Sequence, residues 1–146
     1  MSRSFRVKKP GGPSEHKLQV SLIAYLSIAG RKDLHWFAVP NGGHRHIAQA
    51  SRLKAEGVKA GIPDLCFMLD EGRTAWLEMK TEKGSLGVNQ RAFRDMAFRL
   101  GHKWGMARSL DEAIVLLREW NVLRPGEVRD PFAPPVVPEM NEQVPA

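Results

Sequence analysis

A single cysteine, Cys66, is present in 146 residues. That excludes an internal disulfide framework and any cysteine-built zinc cluster, and it fits a reduced, intracellular setting. Only one tyrosine is present, and aromatics make up 8% of the chain. No apolar run approaches the ~20 residues of a membrane span, so no membrane association is expected. The first nine residues are basic, but Pro10-Gly11-Gly12-Pro13 follows them where a signal peptide would carry an apolar stretch. No internal repeat is visible.

What is present is an ordinary globular composition, 42% hydrophobic, in a chain long enough for one domain with its own core. The charge is unevenly placed. Residues 1–60 carry eleven Lys and Arg against three acidic residues, a net of +8, whereas residues 125–146 carry a net of −3. A basic half beside a near-neutral body suits a polyanion such as nucleic acid, and it equally suits plain solubility.

Residues 1–13 read as a flexible basic arm and residues 124–146, rich in proline, as a disordered tail. Between them, residues 14–123 form the expected domain. Ser14 is placed to cap a helix whose leucines at 18, 22 and 26 recur with helical spacing up to Gly30. Leu34 to Val39 reads as a strand, and residues 46–56 as a helix closed by Gly57. The apolar run Leu65 to Leu69 predicts a strand buried on both faces. Asp70-Glu71-Gly72-Arg73 turns the chain into a returning strand, Thr74 to Thr81. A helix over 88–100 stops at Gly101, Lys103 to Ala107 is a strand, and Ser109 with Glu112 is a capping box that opens a last helix. Trp36, Trp104 and Trp120 fit core positions better than base-stacking ones. The order predicts an α/β fold, a central mixed sheet flanked by helices.

The chemistry concentrates in Pro63-Asp64, then thirteen residues, then Glu78-Met79-Lys80. Side chains alternate across a strand, so Trp76, Glu78 and Lys80 share one face and Ala75, Leu77 and Met79 the other, apolar one. If the hairpin pairs across Gly72, Asp64 lies beside Glu78 and Lys80. Two carboxylates and an ammonium at one end of a rigid sheet supply what metal-assisted phosphodiester hydrolysis needs: oxygen ligands for a hard cation and a positive charge for the developing anion. The alternative is a solvated ion pair on an edge strand with Asp64 as a turn residue. Glu15 is placed on or beside the buried stripe of the first helix, where it serves either the site or the helix dipole. Gln90 starts a core-facing stripe and serves either as a cap or as a partner for Glu78, Lys80 or a phosphate. Arg45, Arg52, Lys54 and Lys59, with Asn41, could follow a DNA backbone, and a solvated helix face explains the cations equally well. His44 and His46, two apart in a Gly-rich loop, suit phosphate contacts or plain loop roles better than a metal site.

With these residues assembled, the chain resembles the VRR-NUC domain, a branch of the PD-(D/E)xK nuclease superfamily. The resemblance spans Glu15 to Leu117. It rests on Glu15 with Gln19, on Val39-Pro40-Asn41-Gly42-Gly43, on Gly57-Val58-Lys59-Ala60-Gly61-Ile62-Pro63-Asp64, and on Glu78-Met79-Lys80-Thr81 with Gly84, Gln90 and Gly101. It implies a restriction-endonuclease-like core. Glu15, Asp64 and Glu78 would be ligands for Mg²⁺ or Mn²⁺, Lys80 the catalytic lysine and Gln90 an active-site helper. Two departures stand out: Gly87 where Ser or Thr usually precedes the glutamine helix, and Arg94 where some relatives carry Tyr. Small stand-alone members are similar to Holliday-junction resolvases, tend to be homodimers, and occur in phages or prophages. The expectation is therefore a metal-dependent endonuclease acting on branched DNA as a homodimer. A flap- or end-specific nuclease of replication or repair is the first alternative, and a DNA-binding module without catalysis the second.

Overall fold

The computed structural model describes residues 14–40 and 47–126. The basic arm, the loop of Asn41, His44, Arg45 and His46, and residues 127–146 lie outside the described residues, so the expectations attached to them rest on the sequence. The elements follow the expected order: α1 (Glu15–Ala29), β1 (His35–Ala38), α2 (Ile47–Ala55), β2 (Leu65–Met68), β3 (Thr74–Met79), α3 (Val88–Arg99), β4 (Lys103–Ala107) and α4 (Leu110–Glu119).

Ser14 caps α1 as its sequence suggests, its hydroxyl accepting from the Lys17 amide at 3.2 Å. Gly30 ends that helix without using a left-handed conformation. Its φ is −71°, and glycine is needed because a Cβ would stand 2.6 Å from both the Leu26 carbonyl and the Trp36 indole. The Ser109 hydroxyl caps α4 by accepting from the Glu112 amide at 3.1 Å. The return bond runs from the Arg108 amide to Glu112 at 2.7 Å, one residue earlier than a capping box on Ser109 would place it.

The sheet has the order β1-β2-β3-β4. β1, β2 and β3 pair antiparallel in sequence, and β4 joins β3 in parallel after the α3 crossover. Between β2 and β3, a 3₁₀ turn at Asp70–Gly72 places Glu71 and Gly72 at φ of 63° and 69°. β2 is shorter than its apolar run. Leu65, Cys66 and Phe67 are buried, whereas Met68, opposite Thr74 at the hairpin end, is exposed.

Alternation splits the sheet into two environments. Leu65, Phe67, Ala75, Leu77, Met79 and Ala107 join Leu18, Leu22 and Leu26 of α1 and Ala113, Leu117 and Trp120 of α4 in the main core. Burying a leucine or phenylalanine side chain there stabilises the fold by ~1.5–3 kcal/mol each. The opposite face carries Trp76, whose ring meets Phe93 of α3 edge-on at 5.1 Å. Of the tryptophans expected in the core, Trp120 is buried, while Trp36 and Trp104 are half-buried. Leu123 bridges Gly30, and the Arg124 amide donates to the Ala29 carbonyl, so the chain still packs against the end of α1 at residue 124.

Candidate active site

The hairpin register decides the geometry. Leu65 pairs with Leu77 and Cys66 with Trp76, so the residue before β2, Asp64, comes opposite Glu78. The Met79 amide donates to Asp64 Oδ2 at 2.7 Å, which fixes that carboxylate on the backbone of the strand carrying Glu78. Glu78 is 4% exposed. Its Oε1 accepts from Gln90 Nε2 at 2.8 Å and lies 3.6 Å from Lys80 Nζ. Asp64, Glu78, Lys80 and Gln90 thus lie together at one end of the sheet.

Gln90 fills both roles that its position allowed. Its Oε1 accepts from the Gly87 amide at 2.8 Å, capping α3, while its Nε2 holds Glu78. Gly87, unlike Ser or Thr, offers no side-chain cap, and the glutamine alone closes the helix start. Arg94 does not reach toward the carboxylates. It pairs with Asp95 at 3.0 Å and lies over the Trp104 ring. The docking of α3 that aims Gln90 is reinforced at Trp76, whose Nε1 donates to Thr74 Oγ1 at 2.8 Å; that hydroxyl in turn meets His102 Nδ1 at 2.8 Å.

The electrostatics are those of an acidic cluster short of cations. Burial, reinforced by the Asp64 charge, pushes the Glu78 carboxyl up to about 7, against the opposing pull of Lys80. Asp64 is also raised, first by burial and further by Glu15, with the Met79 hydrogen bond and Lys80 acting the other way. Burial disfavours the charged form and like charges add to that penalty.

Glu15, expected on or beside the buried stripe of α1, lies outside the core. It is exposed at the start of α1 and touches the pair through its field alone. Among the described residues, no group of three or more His, Cys, Asp or Glu side chains forms a ready metal cage. Among the described residues the hydrogen bonds to this pair engage Asp64 Oδ2 and Glu78 Oε1, so the second oxygen of each carboxylate has no partner there. Arg52 pairs with Glu56 at 3.0 Å on α2, and Lys54 and Lys59 are exposed.

Arg108 was missed. Its Nη1 donates to the carbonyls of Thr81 at 2.8 Å, Glu82 at 3.2 Å and Gly84, gathering the loop that follows Lys80. The Lys80 amide itself donates to Ala107, the residue before Arg108, at 2.9 Å. Nothing in the spacing signals this grip, because it depends on the path of a loop.

A mixed sheet that presents two carboxylates and a lysine at one end, on a restriction-endonuclease-like fold, defines a nuclease-type protein. The VRR-NUC domain matches residues 28–110, more than half of the sequence, and the chain belongs to that family. The match begins after Glu15, so that residue lies outside it. Two solved structures share the fold. One, described as a VRR_NUC domain protein, is 20% identical with a TM-score of 0.63 and covers 76% of this chain and 90% of its own. The other, described as a VRR_NUC domain, is 14% identical with a TM-score of 0.52 and covers 74% and 99%. No curated protein matches. No helix among the described residues is long and apolar enough to cross a membrane.

Proposed function

We propose that the protein is a metal-dependent endonuclease that hydrolyses phosphodiester bonds in branched DNA. The observation that carries this reading is the buried pair Asp64 and Glu78, locked across the hairpin with Lys80 and Gln90 on the same Glu78 oxygen. Their free carboxylate oxygens are hard donors, which fit Mg²⁺ or Mn²⁺. Glu15, at the start of α1, would be the third ligand in this reading. A divalent cation held there offsets phosphate charge and makes an attacking water more acidic.

The chain's own groups have separate tasks. The Met79 amide orients Asp64, Gln90 orients Glu78, and the largely buried Lys80 ammonium stabilises negative charge developing on the phosphate. Asn41, Arg45, Arg52, Lys54 and Lys59 are the proposed backbone contacts. Cleavage of both strands at a four-way junction calls for two sites, hence a two-fold homodimer. Light scattering should then give about twice the 16.4 kDa chain mass.

The test is a panel of four-way junctions, flaps, bubbles and linear duplex with Mg²⁺. Asp64→Ala, Glu78→Ala and Lys80→Ala should each lower the rate on the order of 10²-fold or more, while binding in Ca²⁺ persists. Wild-type cleavage by Asp64→Ala refutes the assignment. A clear preference for flaps or ends over four-way junctions replaces the junction as substrate and keeps the nuclease. Binding with no cleavage by the wild type leaves a DNA-binding module.

A further inference from the structure

α2 makes an unusual helix for a folded domain, because none of its nine residues is buried and only Leu53 is half-buried. Its inner side, the loop that follows it and the first turn of α3 enclose a cleft of about 830 Å³. That volume lies within the ~300–1,000 Å³ range of sites that hold small organic groups. Ala50, Leu53 and Ile62 give the cleft apolar walls, Asn89 adds an amide, and Lys54 and Lys59 add positive charge.

Two features tie this cleft to the catalytic residues. Gly61 has φ of +85°, and a Cβ there would stand 2.4 Å from the Asn89 backbone, so the loop lies directly against the start of α3. Gln90 lines the same cleft and donates to Glu78. The cleft and the carboxylates therefore share a wall one side chain thick.

We infer that this cleft seats an unpaired nucleobase of the DNA substrate, beside the phosphate to be cut. The inference rests on the phosphodiester-cutting reading of Asp64, Glu78 and Lys80, and within branched DNA it selects flaps and bubbles over fully paired four-way junctions. A paired base has both faces stacked and its edge bonded, so it cannot enter. An unpaired base offers two apolar faces, which Ala50, Leu53 and Ile62 match, and a polar edge, which the Asn89 amide matches. Its flanking phosphates call for cations, and Lys54 and Lys59, which line the cleft, supply them. Among the described residues no aromatic lines the cleft, so selection comes from access and not from stacking strength. A base that is already unpaired enters without the cost of being taken out of the helix.

The experiment uses the full chain and duplexes with 2-aminopurine either fully paired or in a short bubble or flap beside the cut position. In Ca²⁺, the wild type should change 2-aminopurine emission at the unpaired position and not at the paired one. In Mg²⁺, kcat/KM should favour the unpaired substrate by about tenfold or more. Ala50→Trp and Ala60→Trp fill the cleft from two separate exposed positions, and each should erase both the emission change and the preference. Equal kcat/KM on paired and unpaired DNA overturns the inference and leaves the nuclease assignment intact. So does a preference that survives in both variants. If the wild type gives the emission change but cuts no DNA, the nuclease reading fails and the base site stands. If Ala50→Trp instead halves the particle mass with the preference unchanged, the cleft is a contact between copies of the chain and the inference falls.

Discussion

Removing the charge of Glu78 while keeping its shape should make the metal-free protein more stable at alkaline pH. Glu78→Gln preserves a carbonyl oxygen to accept from Gln90 Nε2 and deletes a carboxylate that is 4% exposed. In the wild type, burial and Asp64 raise this carboxyl from an ordinary 4.5 to about 7. The folded state therefore holds the proton more tightly than the unfolded chain. Below pH 4.5 both states are protonated and the group is neutral in its effect. Between 4.5 and 7 the unfolded chain releases its proton first, so stability falls as pH rises and levels off above 7. Each pH unit across that window costs about 1.4 kcal/mol, so the loss is on the order of 3 kcal/mol in all. The assay is urea denaturation in EDTA at fixed ionic strength from pH 4 to 8.5, for wild type and Glu78→Gln side by side. The difference between the two curves cancels the titrating groups that do not interact with Glu78, and Asp64 is the main partner whose titration shifts with it. It should be near zero at pH 4 and approach about 3 kcal/mol in favour of the variant at pH 8. Mg²⁺ at a hundred times its dissociation constant should restore ~2.7 kcal/mol to the wild type at pH 8 by binding the folded state alone, and far less to the variant. A difference curve flat with pH, or a variant less stable than wild type at pH 8, would refute the reasoning.

Three further outcomes follow from the geometry. Gly61→Ala should cost at least about 2 kcal/mol in urea denaturation, since it combines a left-handed φ with a backbone clash against Asn89. Gly57→Ala, at φ +96° but with open space around it, should cost about 1 kcal/mol, and equal losses would contradict this distinction. Arg108→Ala frees the Thr81–Gly84 loop and should lower stability by about 2 kcal/mol and kcat with it. Unchanged kcat would separate that loop from the site. Replacing Lys54 and Lys59 together by Gln should flatten the log–log salt dependence of DNA binding by about 1.8, and an unchanged slope assigns both to a solvated surface.

The parts of this fold that depend on local chemistry were readable before any coordinates. The leucine stripe with Ser14 defined α1, and strict alternation in Ala75–Lys80 separated a core face from the face that carries Glu78 and Lys80. The distance from Asp64 to Glu78, halved by a turn at Gly72, was enough to bring the carboxylates together. What stayed hidden depends on neighbours that the chain reaches only after folding. Glu15 sits one turn ahead of Leu18, but the helix start protrudes from the core and leaves it exposed. Leu53 and Ala50 have the spacing of a buried stripe, and only the path of the following loop shows that their side of α2 opens on a cleft. Met68 belongs to an apolar run by composition, yet it lies where the hairpin ends and its cover stops. The grip of Arg108 on three carbonyls needs the loop after β3 to fold back, which no spacing encodes.

The small turn at Asp70–Gly72 acts as a counting device. It lies at the opposite end of the hairpin from Asp64 and Glu78, and it closes the hairpin in which Met68 faces Thr74 and Leu65 faces Leu77. A single residue inserted into either strand between Asp64 and Glu78 would send one carboxylate through the sheet toward the leucines of α1. Residues added at the tip of the turn would extend the hairpin and leave that pairing alone. Lineages of this domain should therefore vary freely in the length of the tip, while the count from Asp64 to the last residue of β2, and from the first residue of β3 to Glu78, is held. Drift in tip length with both counts intact would be the mark of a site kept true by arithmetic along the chain.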